Sequence, residues 1–191
     1  MKNLLARLVS LLPGHAISRL TYRLTRIRTP WLKNTLIKLF IHHFRVDMSQ
    51  AAEPEPTAYK DFNSFFTRAL RDSARPLATE PGAILCPVDG QISQLGKIEG
   101  EQVFQAKKHN YSLTALLGGS ATLANHFIDG NFCTIYLSPR DYHRIHMPVT
   151  GTLKEMVHVP GRLLSVNPAT ASVIPDLFAR NERVVYIVDT A

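Results

Sequence analysis

The stretch Ala83-Ile84-Leu85-Cys86-Pro87-Val88-Asp89-Gly90-Gln91-Ile92-Ser93-Gln94-Leu95-Gly96 decides how the body of the chain is read. Its apolar residues fall in two short runs, 83–88 and 91–98. Between them stands Asp89-Gly90, a dipeptide suited to a tight hairpin turn. Further strand-like runs follow at 132–138, 151–159 and 183–189, rich in Val, Ile, Leu and Tyr and bounded by Pro, Gly or Asp. Helices do not alternate with these runs as crossovers would, so the pattern predicts a largely antiparallel β core, not a doubly wound parallel sheet. Short helices are expected at 61–70, with Phe62, Phe65, Phe66 and Ala69 on one face, after Ser112 up to Gly118-Gly119, and over 121–127. The three phenylalanines read as core.

Upstream the chain changes character. Residues 49–58, with two prolines and little apolar content, read as a linker between a basic segment, 1–48, and a body, 59–191. The basic segment holds nine of the 22 Lys and Arg and one acid, Asp47, a net +8, whereas the rest of the chain is −1. Helices are expected at 3–11 and 16–27, and again after Pro30, where Leu32, Leu36, Leu39, Phe40 and Phe44 recur at helical spacing. The fold class is therefore α+β, with N-terminal amphipathic helices leading into the β core. Apolar stripes flanked by Lys2, Arg7, Arg19, Arg23, Arg26, Arg28, Lys33 and Lys38, with Trp31 as an interfacial aromatic, suit an anionic membrane surface. For any one helix the alternative stays open that the stripe packs on the body and the charges are solvated. No nucleic-acid motif or stacking platform accompanies the charge, so nucleic acid is not expected as a partner.

The remaining composition narrows the class. Over 191 residues, 45% hydrophobic and 19% charged content exclude wholesale disorder and support a core without staples. Two cysteines, Cys86 and Cys133, make neither a disulfide scaffold nor a paired-cysteine zinc site, and fit a reducing, cytosol-facing location. No run of 18 apolar residues occurs, so no transmembrane helix is expected. The early leucines are broken by Arg7 and followed by Pro13-Gly14, unlike a secretory signal, although an Arg-rich, acid-poor start also resembles a mitochondrial transit peptide.

Chemistry-bearing residues concentrate in Ser138-Pro139-Arg140-Asp141-Tyr142-His143-Arg144-Ile145-His146-Met147-Pro148, directly after the run Phe132–Leu137. Strand ends that open into such side chains are common site rims, and a polar loop with satisfied histidines is the bland alternative. His143 and His146 are three apart, but Pro148 and the preceding strand oppose a helix and no third ligand has recognisable spacing, so no metal is expected. A histidine can take a hydroxyl proton when a carboxylate orients it, and Asp89 is a candidate for that role, or else simply a turn residue. Neither a Gly-x-Ser-x-Gly elbow nor a phosphate-binding glycine loop is present, and Ser120 after Gly118-Gly119 reads as a helix cap.

Several long stretches in order resemble the bacterial-type phosphatidylserine decarboxylase family. They are Phe62-Asn63-Ser64-Phe65-Phe66-Thr67-Arg68-Ala69-Leu70-Arg71, Pro87 to Gly96, Gln105-Ala106-Lys107-Lys108-His109-Asn110-Tyr111-Ser112-Leu113, Tyr136 to Pro148, and Leu177-Phe178-Ala179-Arg180-Asn181-Glu182-Arg183. The resemblance implies conversion of phosphatidylserine to phosphatidylethanolamine and CO2 at the cytoplasmic face of a membrane, by a peripheral enzyme. It implies a pyruvoyl prosthetic group that forms a Schiff base with the substrate amine. That group arises by self-cleavage driven by an Asp–His–Ser set, whose Asp and His match Asp89 and His146. His143 is then a proton donor or a residue of the carboxylate site. The family's Leu-Gly-Ser-Thr cleavage motif is absent from these 191 residues. The expectation is a truncated proenzyme without its C-terminal strands and pyruvoyl-forming serine, inactive unless a pyruvoyl-bearing chain is supplied. The alternative expectation is a non-enzymatic, membrane-binding remnant.

Overall fold

The computed structural model describes residues 13–106 and 109–190. The helix expected at 3–11 and the charges of Lys2 and Arg7 lie outside the described residues. The chain is α+β, and its packing divides it into two compact units. Of the described residues, one comprises 13–18, 92–136 and 151–190; the other comprises Arg19–Gln91 and Leu137–Thr150.

Two longer helices come first. Helix α1 (Gly14–Leu24) has no buried residue. Its Ile17, Leu20 and Leu24 are exposed at near-helical spacing, with Arg19 and Arg23 between them. Helix α2 (Pro30–Phe44) starts on Pro30, whose missing amide hydrogen costs nothing in a first turn. It ends at Arg45 in the left-handed conformation, φ 55°, and the Val46 amide then donates back to the Ile41 carbonyl at 3.1 Å.

In the Arg19–Gln91 unit the core is aromatic. Helix α3 (Phe62–Phe66) is capped by Asp61, whose carboxylate accepts from the Ser64 amide at 2.7 Å. Its rings meet α2: Phe40 lies 5.1 Å from Phe62 and 6.0 Å from Phe65, both edge-on, around the fully buried Ile37 and Phe65. The apolar stripe expected on α2 is thus divided. Phe40 and Phe44 join this core, whereas Leu36 and Leu39 are exposed. Within 49–58, Ala51 is fully buried and forms an isolated antiparallel bridge with Leu70, and Pro56–Ala58 makes a 3-10 turn.

The other unit carries the strands. Among the described residues these form three pairs: β1 (Gln91–Lys97) with β4 (Asn131–Tyr136), β2 (Gln102–Ala106) with β3 (His109–Ser112), and β5 (Gly151–Val159) with β6 (Arg183–Thr190). The β2–β3 and β5–β6 pairs are antiparallel, the latter running from Gly151 opposite Thr190 to Val159 opposite Arg183. Helices α4 (Leu113–Leu116) and α5 (Ala121–Asn125) are capped as expected by Ser112 and Ser120. After α4, Gly118 holds φ 79°, and a Cβ there would lie 2.9 Å from Val159 Cγ2, so a side chain is excluded twice over. Ile98, Val103, Tyr111, Leu113, Leu117 and Ala124 form the core.

Gln105 on β2 is a buried polar staple. Its amide nitrogen donates to the carbonyls of Ala171 and Ile174 at 2.9 and 2.8 Å, and its carbonyl oxygen accepts from the Leu177 amide at 2.9 Å. It thereby satisfies backbone groups at the end of helix α6 (Pro168–Ala171), at the start of helix α7 (Leu177–Arg180) and in the turn between them. Arg183 does the same from β6, donating to the Leu116 carbonyl at 2.6 Å and the Ala179 carbonyl at 2.7 Å.

One expected strand does not form. Residues 83–88 pair with the chain near Pro148 through two backbone bonds, Leu85 N–H to the Pro148 carbonyl at 2.8 Å and His146 N–H to the Pro87 carbonyl at 2.9 Å. Pro87 and Pro148 have no amide hydrogen to extend a ladder. Asp89-Gly90 is accordingly a bend into β1, not a hairpin turn.

Candidate active site

The two backbone bonds just described bring Asp89 and the histidine loop into one neighbourhood. Both belong to the Arg19–Gln91 unit, which also takes in Leu137–Thr150. The loop is shaped locally by Asp141, whose carboxylate accepts from the Ser138 amide at 2.6 Å while its own amide donates to the Ser138 carbonyl at 3.0 Å. The end of α3 then holds the loop at three points. The Phe66 ring stacks on His143 with centroids 4.1 Å apart; Arg144 Nε donates to the Thr67 carbonyl at 2.8 Å; Arg68 Nη2 donates to the Arg140 carbonyl at 3.2 Å.

Asp89 is half-buried and bound in fork geometry by Arg75, with Nε to Oδ1 at 2.8 Å and Nη2 to Oδ2. That guanidinium holds the carboxyl below the usual aspartate range, against the opposing effect of burial, and His146 adds to the lowering. Arg75 is itself steadied by Gln50, whose side-chain oxygen accepts from Nη1 at 2.7 Å.

His146 is exposed, and its Nε2 lies 2.8 Å from the Tyr142 hydroxyl, with the two rings stacked at 5.6 Å. His143 is half-buried with Nε2 3.1 Å from the Ser138 carbonyl. Burial pushes its imidazole down, toward the neutral form, which the Ser138 carbonyl and Asp141 partly offset. Asp89 and His146 are thus neighbours, but among the described residues each has its own partner and neither hydrogen-bonds the other. The partners Arg75, Arg68 and Tyr142 were not singled out as site residues by sequence reasoning. Tyr142 stands four residues before His146, and Arg68 lies in the motif that begins at Phe62, but nothing about Arg75 in the sequence marks it.

Beside these groups lies a cavity of about 280 Å³. Four arginines (Arg45, Arg68, Arg75, Arg140) and three aspartates (Asp47, Asp89, Asp141) line it, with Gln50, Leu70 and Tyr142. Among the described residues no group of three or more His, Cys, Asp or Glu side chains could hold a metal ion.

Of the residues expected at a membrane, Arg19, Arg23, Arg26, Arg28, Trp31 and Lys38 are exposed, Trp31 by 71%. Lys33 stands apart: it is buried, and its ammonium donates to the Asn34 side-chain oxygen at 2.6 Å and the Thr57 carbonyl at 2.9 Å. Among the described residues no helix is long and apolar enough to cross a membrane.

Comparison with known proteins settles the family. The sequence model described as phosphatidylserine decarboxylase matches residues 62–191, and a second, described as PSD, matches residues 4–45. A phosphatidylserine decarboxylase proenzyme of Alkalilimnicola ehrlichii is 59% identical over 190 residues, 100% of this chain and 66% of the relative. Proenzymes of the same description are 61% identical in Azotobacter vinelandii and 60% identical in Pseudomonas aeruginosa, each over 180 residues and 94% of this chain, covering 63% and 62% of the relative. The chain therefore spans somewhat less than two thirds of the length of these relatives. In this α+β chain Asp89 lines a polar cavity, and His146 and His143 stand on the loop that supplies Arg140, Asp141 and Tyr142 to the same wall. The chain belongs to the phosphatidylserine decarboxylase family.

Proposed function

We propose that this protein takes part in decarboxylating phosphatidylserine to phosphatidylethanolamine, and that the chain contributes Asp89, His146 and His143. The observation that carries the reading is the pairing of residues 85–87 with 146–148, which brings His146 near Asp89, while Asp89 and the Tyr142 that His146 hydrogen-bonds both line the cavity. The relatives' description as proenzymes fits self-processing to a pyruvoyl group.

The side chains present are compatible with such a group. His146 is exposed, with a ring nitrogen already hydrogen-bonded to a phenol, so it can accept a proton from a serine hydroxyl brought to it. Asp89, held by the Arg75 fork, places a carboxylate near His146. His143, pushed toward the neutral form by burial and steered by the Ser138 carbonyl, can accept a proton and then pass that proton back to the site. When bound, a pyruvoyl group supplies an electron-accepting carbonyl that none of the ordinary side chains offers. The Leu-Gly-Ser-Thr serine is not among these 191 residues, so the proposal includes a segment that supplies it, in the same polypeptide or as a separate chain.

A membrane surface is the proposed partner. Ile17, Leu20 and Leu24 on α1 and Trp31 on α2 offer exposed apolar groups flanked by Arg19, Arg23, Arg26, Arg28 and Lys38. A lipid substrate gives that surface a purpose.

The test is turnover of phosphatidylserine vesicles by the chain co-produced with the part of the Azotobacter vinelandii relative that it does not span. Phosphatidylethanolamine should accumulate, and His146→Ala should lower its rate by about 10²-fold or more. Undiminished turnover by the variant would contradict the assignment.

A further inference from the structure

Arg68 is only 4% exposed. Its Nη2 is used, but Nε and Nη1 are buried without a hydrogen-bond partner, the only such side-chain nitrogens or oxygens among the described residues. A guanidinium leaving two donors unpaired away from water is costly, and a native fold retains one where a ligand completes it.

The neighbouring carboxylates do not fill that role. Asp89 is held by Arg75, Asp141 accepts from the Ser138 amide, and Asp47 accepts from the Ser49 amide at 2.8 Å. Burial pushes Arg68 below the usual arginine range, and the charges of these carboxylates partly offset that from a distance without pairing with it. Arg68 lines the cavity of about 280 Å³, where four arginines outnumber three aspartates. That volume is at the small end for ligand pockets, fit for a head group and too small for acyl chains.

We propose that Arg68 is the docking group of a phosphoryl-oxyanion subsite in this cavity, with Arg140 beside it at the rim. Nε and Nη1 lie on different edges of the planar guanidinium, so each has a hydrogen bond to give singly to an oxyanion. The alternative anion is the substrate carboxylate. Departure of CO2 disperses that carboxylate's charge, so a guanidinium on it would stabilise the ground state more than the transition state. Arg68 therefore serves the phosphodiester, which leaves the reacting carboxylate to the histidine side of the site. This last step rests on the decarboxylase reading. The oxyanion subsite itself does not, because free phosphate presents the same oxygens.

Calorimetric titration of the 191-residue chain with glycerophosphoserine, inorganic phosphate and N-acetylserine tests this. Glycerophosphoserine and phosphate should bind, N-acetylserine should not, and Arg68→Gln should weaken binding about tenfold or more. Arg68→Lys, which keeps the charge and loses the separate Nε and Nη1 donors, should fall between, and it substitutes for Arg68→Gln if the circular dichroism of the latter shows misfolding. Tighter binding of glycerophosphoserine than phosphate assigns the subsite to the lipid head group. Phosphate binding alone supports the oxyanion subsite and counts against the lipid reading. Absence of binding by the wild-type chain, or equal binding by both Arg68 variants, overturns the proposal. Turnover of phosphatidylserine by the co-produced protein in that case would leave the decarboxylase reading standing without it.

Discussion

Asp89 shows how one carboxylate is prepared. Its fork to Arg75 lowers its pKa, so the unfolded chain binds the proton more readily than the folded one. The stabilisation is fully present above the ordinary aspartate value near 4 and is lost as pH falls through the lower folded value. Asp89→Asn should cost about 1 kcal/mol at pH 7, a modest figure because the Arg75 side chain is 44% exposed. The gap between variant and wild type in urea titrations should close below about pH 4. A gap unchanged at pH 3 would remove the charge from the explanation. The family resemblance pointed to Asp89 and His146, and the fold brings the two near each other. The resemblance did not reveal that each has a separate partner, because Arg75 and Tyr142 reach them through the fold and not through any fixed spacing to Asp89.

At the scale of elements, the readable features were those fixed locally. Ser112 and Ser120 cap their helices, and β5 covers Gly151–Val159, because capping geometry and apolar runs are properties of short windows. Residues 83–88 misled because an apolar run says nothing about whether its amides can form a ladder, and Pro87 and Pro148 prevent one. The α2 stripe misled because the side of a helix that is buried depends on where α3 sits. Gln105 was invisible as a staple, since glutamine is ordinarily a surface residue. Gln105→Ala should cost about 2–4 kcal/mol, because it orphans a buried amide and two carbonyls. Phe65→Ala, which empties a fully buried ring site, should cost about 3–5 kcal/mol. Denaturation midpoints measure both, and a Gln105→Ala change below about 0.5 kcal/mol would show that water replaces the staple.

Across the whole molecule, charge and fold divide the labour. The +8 of residues 1–48 stands against −1 for the rest, and on α1 and α2 the described charges are exposed, apart from Lys33. Flotation with vesicles containing anionic lipid should recover the chain, and replacing Arg19, Arg23, Arg26 and Arg28 with Gln should weaken recovery by roughly 1 kcal/mol per charge removed. Recovery that ignores both salt and these substitutions would point to apolar insertion alone. That a basic segment precedes a body of the phosphatidylserine decarboxylase family was readable from charge and motif together. How the chain divides into two compact units was not, because Leu137–Thr150 joins the earlier unit across more than forty intervening residues.

The most direct test of the account is the intact mass of the serine-bearing segment after co-production with this chain. With wild-type Asp89 and His146 the segment should be cut ahead of its serine and carry the mass of a pyruvoyl terminus. With His146→Ala it should remain uncut. Cleavage that proceeds equally in the His146→Ala variant would contradict the claim that this chain supplies the groups that drive it.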